Sequence, residues 1–303
     1  MDRFEAMSIL VAVADGGSLS QASRKLKIPL ASVSRKLSEL ESYLNVKLLT
    51  RTTRALEFTD YGRSYVAHCR RILDDISEAE RAVTGEYTAP KGILTITAPI
   101  VFGKIHIIPI LSEFLKAYPE VDVQLMLTDR GVDLLEEKID LALRIGELPS
   151  SSLIAVRVGE IRHLTCGSSF YFKKRLKPKN PQDLQSHDCI SITALGASKN
   201  WVFYSGKSKL NVAIRPRLEV TTAEAGIEAA VLGVGITRAL SYQVSSYLNN
   251  NKLEIILEDY EPDPWPVHLV HAAGRIVPLK LRAFLDFAKP RLKLALSNIN
   301  NRK

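Results

Sequence analysis

The sequence predicts an α/β protein in three parts: a small helical head with a hairpin, one long connecting helix, and about 200 residues of alternating strands and helices. Three observations carry this. Apolar residues recur at helical spacing in three short runs over the first 45 residues. From Asp60 to Val83 they recur as a heptad seam. From Ile93 onward, short strand-like runs alternate with helical ones. The expected domains are 1–59, 60–92 and 93–303, and a length of 303 residues suits about two folded domains.

The elements follow in order. Phe4, Met7, Leu10, Val11 and Ala14 share one helix face, and Gly16-Gly17 ends that helix. Ser18 can cap a second helix whose apolar positions are Leu19, Ala22 and Leu26. After Lys27-Ile28-Pro29, a third helix carries Val33, Leu37, Leu40 and Leu44 on its inner face. Pro29 suits the first helical position, where its missing N–H costs little. Two short helices joined by a tight turn form the pattern of a helix-turn-helix. "TRTTRALEFT" then reads as a hairpin wing with Arg51, Thr52, Thr53 and Arg54 at its tip.

Charge sharpens this reading. Residues 18–71 hold eleven Lys/Arg against four acids, within a chain of net charge +8. A concentrated basic block suits a polyanionic partner, and on a helix-turn-helix that partner reads as DNA. On the third helix Leu30, Ala31, Ser32, Ser34, Arg35 and Lys36 lie off the apolar stripe. Small residues let the backbone approach a groove, and Arg35 suits guanine edges or phosphate. Ser18, Ser20 and Gln21 at the start of the second helix, with the wing tip, suit phosphate oxygens. The other reading of these helices is a packing or oligomerisation unit attached to a solute-binding module.

The connecting helix places Tyr65, Cys69, Ile72, Ile76, Ala79 and Val83 in one seam. A narrow apolar stripe on a long helix is best covered by a second copy, so a dimer is expected, with paired recognition helices. Gly85, Pro90 and Gly92 make the linker that follows.

In the last part, "GILTITAP", "VDVQLMLTD", "DLALRIG", "RLEVTT", "VGITRAL" and "WPVHLVHAA" read as strands. "KIHIIPILSEFLKAYP", "GVDLLEEKI", "FYFKKRLK", "AEAGIEAAVLG" and about 278–296 read as helices. Repeated βα units predict parallel sheets, and the length suits two lobes with a cleft between them. Enzyme signatures are absent: no G-x-S-x-G, no H-E-x-x-H, no P-loop and no G-x-G-x-x-G. His163 with Cys166, and His187 with Cys189, lack a third group at ligand or catalytic spacing. His106, His268 and His271 sit in apolar runs and read as packing residues. No metal, cofactor or enzymatic activity is expected. Three scattered cysteines fit a reducing cytoplasm, and no apolar run reaches the roughly 18 residues a membrane span needs. The acidic N-terminus lacks the features of a signal peptide.

The motifs "LVAVADGGSLSQASRKL", "SVSRKLSELESYLNVKLLTRTTRALEFTDYG", "GILTITAPIVFGKIHIIPILSEFLKAYPEV", "DLLEEKIDLALRIGELPSSSLIAVRVG", "HDCI" and "AAVLGVGI" occur in that order. On these the chain, from about 1 to 290, resembles the LysR-type transcriptional regulators. The resemblance implies a winged helix-turn-helix, a dimerising linker helix and an effector domain similar to periplasmic binding proteins. It implies tetramers built from two dimers that bind double-stranded promoter DNA in bacteria, with RNA polymerase as a candidate further partner. Lobe I would span about 93–163 and 268–290, lobe II about 164–267, with crossings near Arg162–Thr165 and Pro266–Leu269.

The resemblance also implies a small-molecule effector between the lobes. Strand ends at Pro99, Ile100, Val101, Thr128, Arg144, Ile145, Thr221, Thr222 and Thr237, with helix starts near Phe102 and Ala223, would line that site. Helix N-termini suit a small carboxylate. Ile100 and Val101 stand where relatives often carry Ser or Thr, which points to a more apolar ligand. Lys27 stands where relatives often have glycine, so a turn needing positive φ would be strained there by roughly 1 kcal/mol. Leu30 stands where many have a polar base-contacting residue, which shifts base reading onto Ala31, Ser34 and Arg35.

Overall fold

The computed structural model describes residues 2–51, 56–84, 89–149, 152–193, 200–273 and 277–300. The chain divides into two compact units, Met1–Gly92 and Ile93–Lys303.

In the first unit, helix α1 (Arg3–Gly16) is capped by Asp2, whose carboxylate accepts the N–H groups of Phe4 and Glu5. Helix α2 (Leu19–Leu26) is capped by Ser18, whose hydroxyl accepts the Gln21 N–H at 3.2 Å. It ends at Lys27, which sits in the left-handed region at φ 56°. The turn thus does need positive φ, and a lysine supplies it at a steric cost. The Ser23 hydroxyl holds the turn by donating to the Ile28 carbonyl at 2.6 Å. Helix α3 (Leu30–Leu44) follows. Pro29 is the residue before the helix rather than its first turn: its ψ is 139°, and its carbonyl accepts the Ser32 and Val33 N–H groups. Ala6, Ile9, Leu10, Val13, Ala22, Val33, Leu37 and Leu40 form the core shared by the three helices.

Strands β1 (Leu49–Arg51) and β2 (Leu56–Phe58) pair antiparallel, Leu49 opposite Phe58. Glu41 fixes this wing to α3. One carboxylate oxygen accepts the Leu48 and Leu49 N–H groups at 2.8 and 3.0 Å, and the other meets Lys47 Nζ at 3.0 Å. Partial burial pushes its carboxyl up, but those N–H groups and Lys47 outweigh that and hold it below its ordinary value. Helix α4 (Asp60–Thr84) then leaves the wing. Gly62 is required here, because a Cβ would lie 2.0 Å from the Leu48 carbonyl oxygen.

Tyr65, Val66 and Cys69 of α4 pack into the head core, with Cys69 fully buried. The first two positions of the expected heptad seam therefore face the chain's own helices. Ile72 remains exposed and Ile76 half-buried. The side chains of Ala79 and Val83 lie outside the described residues, as do Thr52, Thr53 and Arg54 of the wing tip and the side chain of Arg51.

The second unit contains two five-stranded sheets. Lobe I holds β3 (Gly92–Ala98), β4 (Val121–Leu127), β5 (Leu141–Ile145), β6 (Leu153–Ile161) and, from far along the chain, β14 (Trp265–Ala272), in the order β4-β3-β5-β14-β6. After β3 the chain forms a short helix α5 (Ile100–Phe102), a π-helical turn (Gly103–Ile107) and helix α6 (Ile108–Ala117). Phe102, Phe114 and Phe284 anchor the core, the last on helix α10 (Leu279–Asn300).

Lobe II holds β7 (His163–Gly167), β8 (Asp188–Ile192), β11 (Arg215–Val220), β12 (Ile236–Leu240) and β13 (Glu254–Ile256), in the order β11-β8-β12-β7-β13. Helices α8 (Ala223–Val231) and α9 (Ser241–Asn249) pack in one of its clusters. A hairpin, β9 (Asn200–Ser205) with β10 (Ser208–Ala213), joins another with Cys189 and Ile236.

Four expectations change. The sheets are mixed, not parallel: β14 runs antiparallel to β5 and β6, and β7 antiparallel to β12 and β13. These strands arrive by crossing from the other lobe, without the helical return that a parallel pair needs. The crossings lie at Arg162 and at 257–264, so Pro266–Leu269 are already inside β14 and lobe I resumes at Trp265. "GVDLLEEKI" forms turns, not a helix. The Asp133 carboxylate takes the Leu135 and Glu136 N–H groups, and Lys138 at φ 54° ends the turn. "FYFKKRLK" yields only a four-residue helix α7 (Ser169–Phe172), followed by like charges and Pro178.

Candidate DNA-reading face and effector cavities

Helix α3 seals Val33, Leu37 and Leu40 into the core, so the register of the helix sets what faces outward. Leu30 is 47 % exposed, and Ala31 and Arg35 are exposed beside it. Ser32 and Ser34 are half-buried on the same helix. Arg35 leans toward Glu39 one turn on, but at 3.8 Å with the arginine side chain 69 % exposed the pair is loose. Exposed pairs of this kind contribute little and release readily. Lys36 differs: it forms an ion pair with Glu5 of α1 and is only 22 % exposed. It is tied down as a helix-to-helix link rather than left with a free charge. Ser18 serves as the α2 cap, whereas Ser20 and Gln21 are exposed.

In the second unit, one cavity of about 240 Å³ lies between the lobes. Lobe I supplies Pro99 after β3, Thr128 to Gly131 after β4, and Leu143, Arg144 and Ile145 of β5. Lobe II supplies Ala223, Leu240, Tyr242 and Gln243, and Trp265 closes it beside the second crossing. Of the expected residues, Pro99, Thr128, Arg144 and Ile145 meet here. Val101 and Phe102 turn into the lobe I core instead. Thr222 caps α8 by accepting the Ala225 N–H, and Thr221 is exposed beside it. Thr237 is near the start of β12, not its end. Fully buried, it donates to the Ile190 carbonyl.

The helix start after β3 is also already served: the Asp129 carboxylate accepts the Ile100 N–H at 3.1 Å. An internal anion thus sits where an incoming carboxylate was expected. Two cations stand on this cavity's wall, Arg130 on the loop after β4 and Arg144 on β5, and Arg144 donates one N–H to the Val132 carbonyl at 2.6 Å. Burial lowers the Arg144 pKa from the ordinary value.

A second cavity of about 350 Å³ lies mainly in lobe II, between its sheet and the β9–β10 hairpin, and Trp265 at the start of lobe I's β14 borders both cavities. His163, Ser191, Trp201, Tyr204, Arg238 and Trp265 contribute to its walls. Arg238 is 8 % exposed, and its guanidinium lies 4.9 Å from the Phe203 ring centre and 5.9 Å from that of Trp201. Beside it, Arg162 joins the two crossings, bonding both oxygens of Glu261 at 2.9 Å and Glu258 at 2.9 Å.

The cysteine–histidine pairs do not assemble a nucleophile. On the strand β7, His163 and Cys166 are three apart and so face opposite sides. Burial pushes the Cys166 and Cys189 thiols up to about 12, away from thiolate. Among the described residues no group of three His, Cys, Asp or Glu side chains is placed to hold a metal ion. No helix among them is long and apolar enough to cross a membrane.

Residues 4–63 match the bacterial regulatory helix-turn-helix model of the lysR family, and residues 88–293 match the LysR substrate binding domain. The chain belongs to the LysR family. It is 34% identical over 289 residues to an HTH-type transcriptional regulator of Xanthomonas campestris, covering 94% of this chain and 84% of that one. It is 31% identical to the probable HTH-type transcriptional regulator LtrA of Klebsiella pneumoniae, covering 93% and 92%. Among solved structures it resembles CrgA of Neisseria meningitidis, a LysR-type transcriptional regulator, with TM-score 0.61, 29% identity and coverage of 95% and 98%. It also resembles the full-length virulence activator AphB of Vibrio cholerae, with TM-score 0.60, 25% identity and the same coverage.

As a LysR-type regulator, this is a DNA-binding transcriptional regulator with a C-terminal effector-binding domain, and the reading as a bare solute-binding module falls away. Its relatives are transcriptional regulators rather than enzymes. Sequence reasoning missed Asp129, Tyr242, Trp201, Arg238 and Trp265. For the two tryptophans, their scarcity was the available signal: the chain has only two, and both line the lobe II cavity. For Arg238 it was a charge inside the apolar strand "ITRAL".

Proposed function

We propose that α3 lies in the major groove of promoter DNA and reads bases through Ala31, Ser34 and Arg35, with Leu30 against a thymine methyl or the sugar edge. The observation that carries this is the division of α3 into a sealed face and an outward face. On the outward face Leu30, Ala31 and Arg35 are exposed and Ser34 is half-buried at the edge, and among the described residues Arg35 is held only by its loose pair with Glu39. Ser20, Gln21 and the basic wing residues Arg51 to Arg54 hold phosphates and set the register. Lys36 supports α3 through Glu5 rather than touching DNA.

The protein acts in the cytoplasm of a bacterium as a dimer or as a pair of dimers. Its dimer contact starts at Ile72, since Tyr65 and Cys69 are used within the head. A small carboxylate effector enters between the lobes, where Arg130 and Arg144 supply the charge, and favours one lobe arrangement over another. That shift requires different affinity for the two states. RNA polymerase is the partner the bound regulator would then help or hinder. Footprinting of the purified protein on genomic DNA tests the first part: a protected palindromic site is expected. Arg35→Ala should blur sequence preference, and unchanged preference would remove Arg35 from base reading.

A further inference from the structure

We propose that the lobe II cavity is a second ligand site, distinct from the space between the lobes, and that it takes a small monocarboxylate with an aromatic body. The proposal goes beyond the promoter-regulator reading and rests on it only in taking the C-terminal domain to bind small molecules.

Arg238 is the central fact. It sits on the middle strand of the lobe II sheet, where its neighbours in sequence are all buried. A guanidinium there is expensive unless its charge and N–H groups are matched. One N–H group donates to the Val202 carbonyl at 3.0 Å, and another faces His163 Nδ1 at 3.4 Å. Arg238 Nε, however, has no hydrogen-bond partner among the described residues, and neither has His163 Nε2. With Nδ1 receiving from the arginine, His163 carries its proton on Nε2, so both unmatched atoms are donors. Burial drives His163 down to about 3 and Arg238 down to about 10, consistent with a site held short of its counter-charge.

The nearby acid does not close the account. Glu261 attracts Arg238 across space, but both its oxygens are engaged by Arg162. Glu258 also bonds Arg162. Lys209 adds a further positive charge to the wall. Arg162, Glu258 and Glu261 together carry a net −1 that offsets part of the Arg238 charge from a distance, but the bonds of both glutamates go to Arg162. That leaves the Arg238 Nε–H unmet and Lys209 as the surplus charge for a visiting anion. A carboxylate is the anion whose two oxygens match a guanidinium fork.

The rest of the wall selects the body of that acid. Trp201, Tyr204 and Trp265 face the cavity, and the His163 ring lies 4.9 Å from the Trp265 ring. Such walls favour a flat apolar group, and the volume of about 350 Å³ suits one ring with a carboxylate.

Benzoate is the probe, with benzamide as its uncharged counterpart, titrated calorimetrically into the full-length protein and followed by tryptophan fluorescence. Benzoate is expected to bind and to shift the emission, with benzamide at least tenfold weaker. Arg238→Lys, which keeps a charge but loses the fork, should weaken benzoate at least tenfold. Trp201→Leu, which leaves every charge in place, should weaken it severalfold. Arg144→Gln, across in the other cavity, should leave the part of benzoate binding that depends on Arg238 and Trp201 within about twofold, whatever it does to an acid between the lobes. Thermal unfolding checks that each variant folds; should Arg238→Lys not fold, Trp201→Leu and His163→Gln decide. No benzoate binding overturns the proposal, as does equal binding of benzamide. Loss of binding in Arg144→Gln with normal binding in the lobe II variants also overturns it, while leaving an acid between the lobes intact.

Discussion

Two arginines in this chain sit in opposite settings. Arg35 projects from α3 into solvent with a loose carboxylate neighbour, whereas Arg238 is enclosed by a sheet, a hairpin and aromatic rings. In water a charge is nearly free to hold, and its use lies in displacing ions from a polyanion. In a protein interior the same charge is costly, and its use lies in demanding one complementary group. The head and the effector unit should therefore respond to different variables, salt for the one and protons and small anions for the other.

The largest effect should come from salt. Raising it from 50 to 200 mM should weaken promoter binding about 10³-fold, linearly on log–log axes. The same change should alter the unfolding of the effector unit little, and a flat binding curve would erase the contrast. Acid should act the other way round. His163 and His106 are held neutral by burial, at about 3 and about 4. The unfolded chain takes up those protons first, near pH 6.5, so stability of the effector unit is lost as pH falls below that value. The loss is roughly 2 kcal/mol per histidine by pH 5. In the head Glu41 is held below its ordinary value of 4.5, so its contribution persists above that pH and disappears only below it. Calorimetry between pH 7 and 4 should show the effector transition moving first. A head transition that moved first would reverse the comparison.

Smaller effects sharpen the head alone. Gly62→Ala pushes a methyl into the Leu48 carbonyl and should cost about 2 kcal/mol or more, read as a lower melting temperature with reduced DNA affinity. Arg35→Ala should cost about 1–2 kcal/mol in specific binding, lower the salt slope by about 1, and leave folding unchanged. Lys27→Gly relieves the left-handed backbone and should stabilise the head by up to about 1 kcal/mol, measured by chemical denaturation.

Much of the head was legible because its signals are local. A cap, a turn and an apolar stripe each act within a few residues, so Ser18, Lys27, Val33 and Leu37 could be placed from spacing. The seam on α4 misled at Tyr65 and Cys69 because periodicity shows which face is apolar and not what covers it. In the effector unit the strands were readable, but their direction was not. Antiparallel entry of β14 depends on a crossing more than a hundred residues after β5. Thr237 was misplaced for a related reason: strand ends drawn from sequence drift by a few residues, which is enough to turn a pocket residue into a core one. Asp129 and Arg238 act through partners distant in sequence, and no short motif announces such pairs.

The two crossings between the lobes bear on movement. The chain passes at Arg162 and again at 257–264, and the Arg162 side chain ties these passages together through Glu258 and Glu261. Two bodies joined at adjacent points keep one easy freedom, rotation about the line through those points. Sliding would strain both the ion pairs at the crossings and the packing of Tyr242 against Phe102 and His106. A ligand that favours one lobe angle would also have to work against the Phe102–Tyr242 ring contact, 5.2 Å between centres, which bridges the two lobes away from the crossings.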